Sequence, residues 1–117
     1  MKILAATLTV VALLFGAGSA WAYWDDGVAA YERGDYVTAF REFLPYAEQG
    51  DAKAQTLIGI MYGEGDGVPE NDAEAVKWYS KAAEQGLAGA QNNLGVMYGT
   101  GTGVPVNKVK GYMWFSL

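Results

Sequence analysis

The chain has 117 residues, enough for one small domain, and about half of them are apolar. It has no cysteine and no histidine, which excludes disulfide staples, thiolate metal sites and the commonest general base. The formal charge of −5 argues against nucleic-acid binding, which needs a basic footprint.

In chain order, residues 1–22 read as a secretory signal peptide. Lys2 supplies the positive start, residues 3–15 are apolar apart from Thr7 and Thr9, and Ala20-Trp21-Ala22 fits a small-residue cleavage site that leaves Tyr23 first. Cleavage after Ala20 fits as a second choice. The apolar run falls short of the roughly 20 residues a spanning helix needs, so no stable membrane insertion is expected after cleavage. The expected destination is the periplasm or the medium.

Residues 23–50 read as a leading helical hairpin. Val28, Ala29, Ala30 and Tyr31 form a short apolar stretch ending at Gly34. Asp35 is placed to cap a second helix carrying Ala39, Phe40, Phe43 and Ala47, with Gly50 at its end. Pro45 lies inside that helix, removes one backbone bond and is expected to bend or loosen it.

Residues 51–86 form the first full unit. Ala54, Leu57, Ile58, Met61 and Tyr62 recur at the spacing of one helix face, as do Ala75, Trp78, Tyr79, Ala82 and Ala83. Between them GEGDGVP, residues 63–69, breaks any helix. Asn71 is an N-cap with Glu74 in capping-box position, and Gly86 sits where a left-handed C-terminal cap belongs. Residues 87–117 repeat the plan: Ala90, Leu94, Met97 and Tyr98, then a glycine loop, Asn107, and Trp114 with Phe115. Residues 47–81 and 83–117 are identical at 18 of 35 positions, a period of 36 residues. Such a period marks a solenoid. Gly59 and Gly95 lie mid-helix at a cost of about 1 kcal/mol each, so a close helix approach is expected there, against the Trp-bearing helix.

The pattern A-x-x-x-[LI]-G-x-M-Y-G-x-G-x-G-V-P-x-N, followed by W-[YF], resembles the Sel-one-like repeat family, relatives of the tetratricopeptide repeat. The resemblance covers residues 51–117, and 23–50 as a degenerate tetratricopeptide-like hairpin. It implies an all-α fold, a right-handed α-solenoid of stacked antiparallel helix hairpins. It also implies an adaptor or scaffold that binds a protein or peptide on a concave face lined by the first helix of each pair. On that face the polar candidates are Lys53, Gln55, Gln91, Asn92 and Asn93. Asparagine amides donate and accept at once, which suits a peptide backbone. Asn93 replaces the apolar Leu57 of the first copy; an internal hydrogen bond is the competing expectation.

The second unit stops about two turns into its last helix, at Tyr112-Met113-Trp114-Phe115-Ser116-Leu117. A solenoid end normally has a polar outer face. The expectation is therefore an incomplete repeat, read as an assembly stub or fragment of a larger repeat protein, or self-association through this end. A second alternative is an envelope regulator that holds a partner in an off state.

Chemistry has little support. Ser80-Lys81 are adjacent on a helix and diverge by about 100°. Glu64 and Asp66 lack a calcium-loop ladder, and threonines replace them in the second copy. GEGDGVP joins two helices and lacks the Lys-Ser/Thr of a phosphate loop. Trp78, Tyr79, Trp114 and Phe115 lie at the spacing of a packed face, so a core fits better than a ligand-stacking strip. Some Sel-one-like proteins are linked to β-lactam-like compounds, but those are cysteine-rich and no residue here carries that over. A small-ligand-binding or hydrolytic role is the remotest alternative. The expectation is a non-enzyme without cofactor or metal.

Overall fold

The computed structural model describes residues 17–116, with side chains described from Trp24 onward. Residues 1–16, most of the expected signal peptide, lie outside the described residues. Among the described residues six helices follow one another: α1 (Ala17–Glu32), α2 (Tyr36–Glu48), α3 (Ala52–Glu64), α4 (Asp72–Glu84), α5 (Ala88–Thr100) and α6 (Lys108–Phe115). Each packs on its neighbours in sequence, so three hairpins stack in order into a body of 53 × 28 × 22 Å. This is an all-α solenoid of helical hairpins. No helix among the described residues is long and apolar enough to cross a membrane.

Local chemistry sets the helix boundaries. Asp35, Asp51, Asn71 and Asn107 each accept a hydrogen bond from the backbone N–H three residues on, at 2.9–3.3 Å. α5 is the exception. Leu87 stands where Asp51 stands in the previous unit and gives no side-chain cap; its side chain packs into the adjoining core instead. Gly65 and Gly101 end the leading helices in the left-handed region, at φ +73° and +72°. α2 runs unbroken through Pro45 to Glu48.

The capping box at Asn71 forms only by half. The Asn71 N–H donates to the Tyr62 carbonyl at 2.8 Å and is not free for Glu74, which pairs with Lys77 at 3.1 Å. Asn107 repeats this bond to Tyr98 at 2.7 Å. Each asparagine thus closes its loop through the backbone and starts the next helix through its side chain. Asn71→Ala keeps the first bond and loses the second. It is expected to cost about 1 kcal/mol, read as a lower urea midpoint with an unchanged m-value.

The buried residues form two clusters, one at each joint between hairpins. Ala39, Phe43 and Ala47 of α2 meet Ala54, Ile58 and Met61 of α3. Ala75, Val76, Tyr79, Ala82 and Ala83 of α4 meet Ala90, Leu94 and Met97 of α5. Trp24 tilts against Phe43 at 5.1 Å between ring centroids and extends the first cluster. The mid-helix glycines are close approaches. A Cβ on Gly59 would lie 2.8 Å from the Tyr79 ring, and one on Gly95 would lie 3.1 Å from both the Gly111 carbonyl oxygen and the Phe115 ring. Tyr79 and Phe115 are on the Trp-bearing helices, as expected.

Candidate protein-binding surface

The five candidate contact residues divide into two groups. Lys53 and Asn92 are exposed on the leading helices α3 and α5, and Val96 of α5 is half-exposed. Gln55, Gln91 and Asn93 are engaged inside the molecule.

Gln55 is buried, with 4% of its surface exposed. Its Nε2 donates to the Ala47 carbonyl at 3.1 Å, and its Oε1 accepts from Gln85 Nε2 at 2.9 Å. Gln85 also donates to the Gly50 carbonyl at 2.9 Å. Gln91 makes the equivalent bond one joint later, from Nε2 to the Ala83 carbonyl at 3.1 Å. Both glutamines therefore add a second hydrogen bond to carbonyls at the ends of α2 and α4, which also accept from the Gly50 and Gly86 N–H at 3.1 and 2.9 Å. Gln55 is corrected from a surface contact to an internal tie, and Gln91, half-buried, is tied the same way. The sequence carried a signal for this. Gln55 and Gln91 are identical across the period, each beside a buried alanine, whereas Lys53 and Asn92 change between copies.

Asn93 is half-buried, and its amide is placed to lower the pKa of the Tyr79 hydroxyl. The internal partner is the helix before it. Leu57, its counterpart, packs against the cluster that contains Phe43. Where the trailing helix carries phenylalanine, the leading helix carries leucine; where it carries tyrosine, asparagine. That paired exchange gives Asn93 an internal counterpart in Tyr79.

Burial pushes the Tyr79 hydroxyl up to about 12, the nearby Glu64 charge adds to the rise, and the Asn93 amide opposes it. A tyrosine whose folded-state value is raised favours the neutral form in the fold. Stability is therefore full below the unfolded value of about 10 and falls as pH rises from there toward 12. Tyr79→Phe is expected to flatten this alkaline loss of melting temperature.

Several other polar side chains are paired locally. Ser80 Oγ donates to the Val76 carbonyl at 2.7 Å, and Lys81 Nζ lies 4.7 Å from the Trp78 ring centroid. Asp66 of the glycine loop accepts from the Tyr31 hydroxyl at 3.5 Å, tying the loop to α1. Among the described residues no three acidic, histidine or cysteine side chains gather as a metal set.

The aromatic residues split by position. Tyr79 is buried, Trp78 and Trp114 are half-buried against the clusters, and Phe115 is 48% exposed. Val109, Tyr112 and Met113 of α6 are also exposed. These lie on α6, which pairs with the Asn92-bearing α5 in one hairpin.

The Sel1 repeat model matches residues 52–87 and 88–117, more than half of the chain. The chain belongs to the Sel1 repeat family. Solved Sel1 structures agree in fold. A Sel1 repeat protein from Oxalobacter formigenes superposes with a TM-score of 0.74 at 39% identity, over 80% of this chain and 38% of that one. A protective antigen present in uropathogenic Escherichia coli strains, displaying an SLR fold, gives 0.77 at 40% identity, over 93% of this chain and 24% of that one. Among curated relatives, the exopolysaccharide production negative regulator of Rhizobium meliloti is 40% identical over 55 residues, 47% of this chain and 20% of the relative. That of Rhizobium leguminosarum bv. viciae is 36% identical over the same length, 21% of the relative. The chain thus spans about a fifth of the curated relatives it matches.

Proposed function

We propose that this Sel1 repeat chain is an exported, non-enzymatic interaction module. It binds a protein or an extended peptide along the leading helices and acts as an envelope regulator or adaptor. The observation that carries the reading is the separation of duties on those helices. Ala54, Ile58, Met61, Ala90, Leu94 and Met97 are buried in the joints, and Gln55 and Gln91 tie them together. Lys53, Asn92 and Val96 remain outward, a mixed polar and apolar surface that the fold does not use. The likeness to negative regulators of exopolysaccharide production favours a regulatory partner over a purely structural one.

The test is in-cell cross-linking of a chain tagged after Ala22, followed by purification from cell fractions. The expected result is one stoichiometric envelope protein, lost in the double variant Lys53→Glu, Asn92→Arg, whose melting temperature matches the parent. A partner retained by that variant would move the binding surface elsewhere. Protein recovered in the cytoplasm with residues 1–22 intact would overturn export.

A further inference from the structure

α3 and α5 are equivalent helices that differ in what holds them. Each has 13 residues, and isolated helices shorter than about 12–15 residues are marginal in water. α3 supplies part of its own support. Asp51 caps it on the Ala54 N–H at 2.9 Å, and Lys53 and Leu57 are strong helix formers. At the same three places α5 has Leu87, Gly89 and Asn93. Leu87 gives no side-chain cap. A Cβ on Gly89 would meet nothing within 4 Å, so packing does not call for a glycine there. Glycine and asparagine are both weaker helix formers than the lysine and leucine of α3.

What α5 has instead is contact with α4. Leu87 packs against the cluster that the two helices share, where Ala90, Leu94 and Met97 are buried together with Val76 and Tyr79. Gln91 Nε2 donates to the Ala83 carbonyl of α4 at 3.1 Å. The two kinds of support behave differently when a joint opens. The Asp51 cap lies between neighbours in sequence and acts whether or not α3 is docked. The Leu87 contact and the Gln91 bond act only while α5 lies on α4. Undocking removes both and leaves a short, uncapped helix with a glycine in its first turn.

We propose that α5 is helical only while docked on α4, so that the α4–α5 joint opens by unwinding α5 and closes by refolding it. The inference deepens the function proposed above and rests on it for one consequence. Asn92 and Val96 stand on α5, so the α5 side of the binding surface exists only in the closed joint, while Lys53 keeps its place on α3. A partner that bridges the two helices then selects the closed state.

Hydrogen exchange on the full chain without a partner tests the opening. After correction for sequence, α5 amides are expected to exchange at least about tenfold faster than their α3 equivalents. The decisive variant is Gly89→Glu, at an exposed position with open space around it. It places a better helix former and an acid in the first turn of α5, and should slow the exchange of α5 at least about threefold while α3 keeps its rate. Exchange of α5 no faster than α3 would overturn the proposal. So would α5 exchange that Gly89→Glu leaves unaltered, because the helix would then undock intact. The failure of the binding surface is read separately: it shows as a partner retained by the Lys53→Glu, Asn92→Arg variant, and exchange measured on the free chain does not depend on it.

Discussion

Gly67→Ala is expected to destabilise the fold by roughly 3 kcal/mol or more, whereas Gly65→Ala, two residues away, should cost about 1–2 kcal/mol. Both glycines have nearly the same backbone, with φ of +75° and +73°. The left-handed penalty is therefore common to the pair. The difference lies in what a Cβ would meet. At Gly65 it would stand 3.4 Å from the Glu70 Cβ, an ordinary contact. At Gly67 it would fall 2.5 Å from the Tyr36 carbonyl oxygen and 2.8 Å from the Val37 nitrogen. Those atoms are the first turn of α2, in the preceding hairpin, and cannot rotate away as a side chain would. The loop of one hairpin rests directly on the start of the trailing helix before it. Gly103 rests in the same way on the Asp72 carbonyl of α4. Against a net stability of about 5–15 kcal/mol for a domain, such a loss is large. Urea unfolding of the two variants checks it. Equal losses would mean that the loop yields and that its contact with α2 is not a fixed joint.

This contact marks where the sequence stopped being legible. The glycines of residues 63–69 and 99–105 announce a turn, and the positive φ values follow from that. Which glycine touches another hairpin depends on how units stack, and periodicity does not encode it. The same holds for Gln55: as a polar residue on a leading helix it fits a binding face, and only its bonds to the Ala47 carbonyl and the Gln85 amide, both outside its own helix, explain its burial. The family, the hairpins and the packed stripes were readable because each is local or repeats at 36 residues. The first hairpin hid part of its register. Its trailing helix keeps the 36-residue offset, as Phe43 and Tyr79 show. Its loop is only residues 33–35, against 65–71 in the next unit, so its leading helix is shifted by four. Gly27 then matches Gly59, a correspondence that the uniform period misses. Lys53 and Asn92 were legible as surface, since nothing in the stack calls on them.

Tyr79→Ala and Gly59→Ala should show strong coupling. Tyr79 is 6% exposed, and its removal leaves a cavity worth about 3–5 kcal/mol. Gly59→Ala in the parent forces a Cβ to within 2.8 Å of the Tyr79 ring. Overpacking of this kind costs about 1–3 kcal/mol, partly offset by the roughly 1 kcal/mol that alanine gains over glycine in a helix. Once the ring is gone the clash goes with it, and only the gain remains. Gly59→Ala should thus change from destabilising to neutral or stabilising in the Tyr79→Ala background, an interaction of about 1–3 kcal/mol. The next unit supplies the control. Gly95 occupies the same place, but a Cβ there would meet the Gly111 carbonyl oxygen as well as the Phe115 ring, each at 3.1 Å. Removing the ring by Phe115→Ala leaves the backbone contact, so Gly95→Ala should recover less of its loss. Full recovery at both positions would mean that the helices are held apart by side chains alone. Recovery at Gly59 and not at Gly95 would place the tightest backbone approach between α5 and α6. There Gly111 replaces Ala75, and the smaller residue lets the last hairpin close onto itself.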